Sequence, residues 1–343
     1  MLTWVDRRQP SPGRPAGARF VMQGKPLTVG FLFFLFPVLL GFSPLVESPA
    51  SARGGSTPGE SAVVQRAGFV RLSDSPWPHL DTERLHLRSE EALVVDGQSG
   101  RDLYAKNVDT VTPIASISKL MTAMVLLDSH LPMDTPVTVT EDDVDTLRNS
   151  LSRLPVGWTL SREQLLQLAL MASENRAANA LARTYPGGTA AFVARMNAKA
   201  HALGMQHTYF LDPTGLHSEN VSTASDLARM VREAYTYPLI RQMTTTERYE
   251  VRSSLTGRPR LFGNSNRLMY NDHWSIGLSK TGFINESGFC LVMETSILDR
   301  PIFMILLDSQ GKYSRLGDAA RIRSWLQTAA EGRLPRYRRH SRG

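Results

Sequence analysis

Strand-like runs stand at the two ends of this chain's central region and are scarce between them. "EALVVD" (91–96) and "RDLYAKN" (101–107) flank the turn "GQSG", and after about residue 245 come "ERYEVRS", "IGLSKTGF", "GFCLVMETSI" and "RPIFMILLDS". All read as short strands bounded by turn residues. Between them the apolar spacing is helical. Ile117, Leu120, Met121, Met124 and Val125 recur at i, i+3, i+4, i+7 and i+8, which predicts a helix over 113–128 with Thr112 as its cap and Pro113 at its first position. "SREQLLQLALMA" (161–172) opens on a Ser161/Gln164 capping box. Helical patterns continue through "RAANALARTY", "TAAFVARMNAKAHAL" and "STASDLARMVREAY", and "SRLGDAARIRSWLQTAAE" follows the last strand. An early hairpin and a late group of strands bury their apolar faces best in one sheet. The order therefore predicts an α+β fold: an antiparallel sheet flanked by helices, with a mostly helical subdomain from the middle of the chain.

The chain has 343 residues, 42 % hydrophobic, ample for a large core. Its net charge of +7 belongs largely to its ends: residues 1–52 hold five basic and two acidic residues, and 333–343 hold five Arg and no acid. A basic tail reads as solvated. No basic stripe with interleaved aromatics points to nucleic acid. Residues 27–46, "LTVGFLFFLFPVLLGFSPLV", follow Lys25 and precede "ESPASARGG", the pattern of a secretory signal cleaved after Ala52. Met22 is an alternative start. Pro37, Gly41 and Pro44 interrupt the run, which favours cleavage over a retained anchor. The expected organisation is an N-terminal extension and signal peptide over 1–52, a Gly/Ser/Pro-rich linker or arm over 53–84, a globular domain over 85–332 and a basic tail over 333–343. The single cysteine, Cys290, excludes an intrachain disulfide and reads as a core thiol.

Lysine is scarce, six against 33 Arg, so each lysine merits inspection. Ser116 and Lys119 form an S-x-x-K at a predicted helix start, where i and i+3 side chains share a face. A lysine whose pKa falls on burial can act as a base, which arginine cannot. A second S-x-x-K, Ser309/Lys312, lies in a turn-like stretch. Ser118 is one residue from Lys119 and points off its face. Two S-x-N triplets occur: Ser173–Asn175 at a corner between helices, and Ser218–Asn220 after the turn "LDPTGLH". "SKTG" places Lys280, Thr281 and Gly282 in a strand, where glycine admits another backbone. On its own the last triplet also fits an edge strand with exposed polar residues. The eight His are scattered without an H-E-x-x-H, which disfavours zinc peptidase chemistry.

In this order the three motifs resemble the serine D-alanyl-D-alanine peptidases, the low-molecular-mass penicillin-binding proteins. "ALVVDGQSGRDLYAKNVDTVTPIASISKLMTAMVLLD", "LALMASENRAANALARTYPGG", "DPTGLHSENVSTASDL", "GLSKTGFINESGFCLVM" and "MILLDSQGKYSRLGDAARIRSWL" are similar to the D-Ala-D-Ala endopeptidase branch, penicillin-binding protein 7 type, over roughly residues 88–330. The resemblance implies a serine D,D-peptidase domain over 85–332 with a β-lactamase/transpeptidase-like fold. It implies Ser116 as nucleophile, Lys119 as its base with a pKa depressed by Lys280, and Ser173 between the two lysines as proton relay. Asn175 and the Lys280–Thr281–Gly282 strand would hold the substrate, Lys280 and Thr281 its carboxylate. The backbone N–H groups of Ser116 and Phe283 would form the oxyanion hole. The implied partners are peptidoglycan stem peptides, with β-lactam antibiotics as covalent inhibitors. No metal or cofactor is implied, and no membrane span after signal cleavage. The implied location is the periplasm of a Gram-negative cell. Alternatives are a D-alanyl-D-alanine carboxypeptidase, a β-lactamase, which the lack of an E-x-x-L-N stretch between Ser173 and Lys280 disfavours, and a non-catalytic wall-binding or sensor protein.

Overall fold

The computed structural model describes residues 75–77 and 80–332. The signal segment 1–52, most of the expected linker and the tail 333–343 lie outside the described residues. The strands in chain order are β1 (Ser89–Asp96), β2 (Asp102–Lys106), β3 (Thr112–Pro113), β4 (Pro136–Thr138), β5 (Thr159–Ser161), β6 (Val221–Ser222), β7 (Arg248–Arg252), β8 (Pro259–Gly263), β9 (Ile276–Ile284), β10 (Gly288–Ile297) and β11 (Arg300–Ser309). The helices are α1 (Lys119–Asp128), α2 (Arg162–Met171), α3 (Asn175–Arg183), α4 (Gly188–Ala202), α5 (Ala224–Tyr235), α6 (Pro238–Thr245) and α7 (Ser314–Glu331).

The early hairpin and three of the four late strand runs form one antiparallel sheet in the order β2-β1-β11-β10-β9, as the sequence pattern predicts. The first late run, "ERYEVRS", does not join it: it forms β7 and pairs with β8 in a separate two-stranded sheet. β1, β11 and β10 are interior and covered on both faces, so their apolar runs are nearly continuous. Alternate residues serve different cores. Leu93, Val95, Val292, Ile305 and Leu307 face the helical block, whereas Ala92, Val94, Leu291, Met293, Met304 and Leu306 pack with Ala319, Ile322 and Leu326 of α7. β9 is an edge strand, and among the described residues no strand pairs with its outer backbone groups. α1 is buried on every side from Lys119 to Leu126. A helix apolar all round belongs in a core, and α1 is the central helix of the larger core.

Two local expectations change. Thr112 does not cap a helix and Pro113 does not begin one. Pro113 lacks an N–H, and the pair instead forms β3 against β6, with Thr112 opposite Ser222 and Pro113 opposite Val221. The helix is delayed to Lys119 by a 3₁₀ turn over Ala115–Ser118. The described end of the arm 53–84 is packed: Trp77 is fully buried against α7, and its Nε1 donates to the Leu326 carbonyl at 2.8 Å. A buried indole needs such an acceptor. Cys290 is fully buried on β10, where burial pushes its thiol up to about 11. Among the described residues no helix is long and apolar enough to cross a membrane.

Candidate active site

Ser116 lies on the 3₁₀ turn between β3 and α1, and glycine backbones crowd the chain on two sides of it. Ile114 N–H donates to the Asn220 carbonyl at 3.0 Å, which pins the segment to the 212–222 loop. Gly215 in that loop has φ +81°, and a Cβ there would sit 1.9 Å from the Ala115 oxygen and 2.8 Å from the Ser116 nitrogen. From the other side a Cβ on Gly282 of β9 would lie 2.9 Å from the Ile114 oxygen and 3.2 Å from the Ser116 nitrogen. Only residues without side chains allow both approaches. Gly215→Ala must therefore push the Ala115–Ser116 peptide away. Its penicillin acylation rate, followed by stopped-flow or gel labelling, is expected to fall on the order of 10²-fold, the scale of a 1 Å misplacement.

The three motifs meet in a cleft of about 450 Å³ lined by Ser116, Ser173, Asn175, Thr281, Gly282 and Phe283, together with Arg148, Ser150, Gly215, Leu216, Ser265, Ile284, Asn285 and Arg315. Lys119 Nζ lies 2.8 Å from Ser116 Oγ, 2.7 Å from Asn175 Oδ1 and 2.7 Å from the Thr214 carbonyl. Lys280 Nζ donates to Ser173 Oγ and to the Thr281 carbonyl, each at 2.8 Å. Ser173 is thus tied to Lys280 and is not among the polar partners of Lys119. It sits between α2 and α3 with φ +61°, a conformation uncommon outside glycine and asparagine that turns its hydroxyl into the cleft. Asn175 Nδ2 donates to Ser150 Oγ at 2.9 Å, and Thr281 Oγ1 donates to Ser265 Oγ at 2.8 Å. The decoys separate cleanly. Ser118 donates to the Ala115 carbonyl, Ser309 Oγ shares a buried hydrogen bond with Ser89 where β1 meets β11, and Asn220 braces the 212–222 loop by accepting from the Leu211 and Asp212 amides.

Both lysines are buried, Lys119 at 0 % and Lys280 at 1 % exposure. Burial lowers Lys119 to about 7, while the carboxylates of Asp212 and Glu174 pull it back up. Burial also holds Lys280 well below its ordinary value, followed by repulsion from Lys119 and Arg315. Burial is the main cause of the depression at both lysines, and their mutual repulsion disfavours charging both at once. Burial opposes the charge of Asp212, but hydrogen bonds from Thr214, His217 and Gly215 overcome it and keep the carboxylate below its usual range.

Several cleft residues are not among those singled out from sequence. Asp212 folds the "DPTG" turn so that the Thr214 carbonyl reaches Lys119; an Asp-Pro-x-Gly run signals such a turn, but not its target. Ser150 and Ser265 come from irregular segments with no motif. Arg315 of α7 reaches under β9, where its Nη1 donates to the Gly282 carbonyl at 2.7 Å and the Cys290 carbonyl at 2.8 Å; burial lowers it to about 10.

An antiparallel sheet, a helical block and a polar cleft that joins a serine to a buried lysine define a serine peptidase of the penicillin-binding class. The chain belongs to the D-alanyl-D-alanine carboxypeptidase family, whose model matches residues 79–311. It is 49 % identical to a D-alanyl-D-alanine endopeptidase of Pseudomonas aeruginosa over 78 % of this chain and 86 % of that relative. It is 46 % identical to one of Escherichia coli over 71 % of this chain and 78 % of the relative. It is also 30 % identical to a D-alanyl-D-alanine carboxypeptidase of Bacillus subtilis over 61 % of this chain and 54 % of that protein. The crystal structure of the Streptomyces K15 DD-transpeptidase matches the fold with a TM-score of 0.66 at 28 % identity, covering 71 % of this chain and 98 % of that one.

Proposed function

We propose that this protein is a secreted, periplasmic D,D-endopeptidase that hydrolyses D-Ala–diaminopimelate cross-links in peptidoglycan through an acyl-enzyme on Ser116. The observation that carries this reading is the 2.8 Å contact between Ser116 Oγ and the Nζ of a fully buried lysine. A neutral Lys119 has two N–H donors and one lone pair. The carbonyls of Asn175 and Thr214 take the donors, which leaves the lone pair for the Ser116 proton. Serine attacks the D-Ala carbonyl as lysine takes that proton. The oxyanion meets the backbone N–H groups of Ser116 and Phe283. The Ile284 N–H is turned inward to Ser287 Oγ, and alternation along an edge strand leaves that of Phe283 facing the cleft. Ser173 gives its own proton to the departing amine as it takes one from Lys280, which already donates to it at 2.8 Å. Asn175 Nδ2 turns from Ser150 to the substrate amide, and the substrate backbone pairs with β9. Its carboxylate settles beside Thr281, Lys280 and Arg315, where the anion favours the charged form of Lys280. Water then adds to the ester, its proton passing through Ser173 to Lys280, and Ser116 recovers its proton from Lys119 as the peptide acid leaves.

The two relatives at 49 % and 46 % identity carry the endopeptidase name, and the signal-like segment supports export. β-Lactams, which mimic acyl-D-Ala-D-Ala, acylate the same serine. The carboxylate beside Ser173, Glu174, is taken by Ser152 Oγ at 2.6 Å and the Arg153 amide at 3.2 Å. It is therefore not free to activate a deacylating water, and the penicilloyl adduct is expected to persist. The test is to digest a D-Ala–diaminopimelate cross-linked dimer and a pentapeptide monomer side by side. Dimer conversion to monomers is the expected result; release of free D-Ala alone would make the protein a carboxypeptidase.

A further inference from the structure

At one end of the cleft Arg148 spans from the Leu216 carbonyl to the carboxylate of Glu286 in the turn after β9, a paired charge at 2.9 Å. Outside the cleft lining, next to Ser265, the surface becomes basic. Ser265 follows β8 by two residues, and its N–H donates to the Met171 carbonyl at the foot of the Ser173 corner. Beside it Arg153 Nη1 donates to the Leu261 carbonyl at 3.4 Å, Arg260 donates to the Arg153 carbonyl, and Arg176 Nη1 donates to the Leu154 carbonyl at 2.9 Å. The Arg153 guanidinium lies 4.7 Å from the Phe262 ring centre and that of Arg260 lies 5.2 Å from Trp158. All three are held by carbonyls, Arg153 and Arg260 by aromatic faces as well, and among the described residues none is in an ion pair. The arginines elsewhere that do carry charge partners, such as Arg183 with Asp143 and Arg300 with Asp96, show the contrast. Three neighbouring cations with no ion-pair partner among the described residues repel one another, and a multiply anionic ligand relieves that repulsion. The cluster is joined to the catalytic corner, because the Glu174 carboxylate that holds the Arg153 amide sits between Ser173 and Asn175.

We propose that Arg153, Arg176 and Arg260 bind the carboxylates of the leaving strand of a cross-linked peptide. This rests on the endopeptidase reading above, in which the leaving group's carboxylate docks at Thr281. The departing residue of a cross-link remains attached to a second stem peptide, an acidic chain that continues past Ser265. A carboxypeptidase leaving group is one amino acid and ends at Thr281. The basic surface therefore acts on the cross-linked substrate alone. It raises affinity for that strand through long-range attraction as well as contact, and its contribution weakens as salt screens it.

The experiment compares wild type with Arg153→Gln, Arg260→Gln and their double variant, and with Arg153→Lys and Arg260→Lys as charge-preserving controls. Three readouts are taken: cleavage of a cross-linked muropeptide dimer, cleavage of the same dimer with its carboxyls amidated, and acylation by labelled penicillin. The expected result is a rise in KM for the native dimer of about tenfold in the double Gln variant, with kcat and penicillin acylation unchanged and a flatter salt dependence. The Lys variants recover most of the loss, and amidated dimer is cleaved alike by wild type and variants. Variants that match wild type on the native dimer would overturn the proposal, as would variants whose penicillin acylation falls in parallel, since the arginines would then only brace the site. Binding of anionic phospholipid vesicles that depends on these arginines, with dimer cleavage unaffected, would assign the surface to a membrane instead. A wild-type enzyme that takes penicillin yet leaves the dimer intact would overturn the endopeptidase reading, and this proposal with it.

Discussion

Ser116→Ala is expected to abolish both penicillin labelling and peptide cleavage, with a residual rate on the order of 10⁴–10⁶ below wild type. The folded state should be untouched. Ser116 is half-buried on a short turn, and removing its oxygen leaves Lys119 with two of its three polar partners, Asn175 and Thr214. Circular dichroism and thermal melting would therefore match wild type while mass spectrometry finds no penicilloyl adduct. Adduct formation on another serine, including Ser118 or Ser309, would remove Ser116 from the nucleophile role.

The second large effect belongs to Lys119. Its amine is the active form, and burial brings its pKa down to about 7. Acylation by penicillin should then rise with pH through about 7 and level off above it, where an ordinary lysine would still be protonated. Lys119→Arg fixes a positive charge in the same place, and the acylation rate is expected to drop by about 10³–10⁴, the upper range for a lost general base. The same shift has a stability consequence with a definite sign. The unfolded chain keeps this proton up to about the ordinary 10.5, whereas the folded one releases it near 7. Between those values the unfolded state binds more protons, so this residue's contribution to stability improves as pH rises. A pH-rate profile flat through the neutral range would argue against Lys119 as the base.

The sheet and the helical block are legible in the sequence because each rests on periodicity over many residues. The strand runs of β1, β10 and β11 and the capping box of α2 appear where their patterns put them. The start of the Ser116 helix is not legible. Local preference favours a helix from Pro113, but pairing of Thr112–Pro113 with β6 brings in residues a hundred positions away. The site divides along the same line. Ser116, Lys119, Ser173, Asn175 and Lys280 announce themselves by spacing and residue type. The Thr214 carbonyl, the Ser150 and Ser265 hydroxyls and Arg315 do not, since a backbone oxygen leaves no sequence signal and the others are single residues brought in by folding. Trp77 lies within a stretch whose composition reads as a linker, yet it fills the core under α7. One large apolar residue outweighs its small polar neighbours there.

Cys290 gives the molecule a practical property. The chain has no second thiol, and this one is sealed within the sheet and held protonated far above neutral pH. A cysteine introduced at the exposed Leu151, next to the cleft-lining Ser150, would be the sole group open to a maleimide dye. Fluorescence from that position would report occupation of the cleft in the otherwise unaltered enzyme, with no need to remove a native cysteine first.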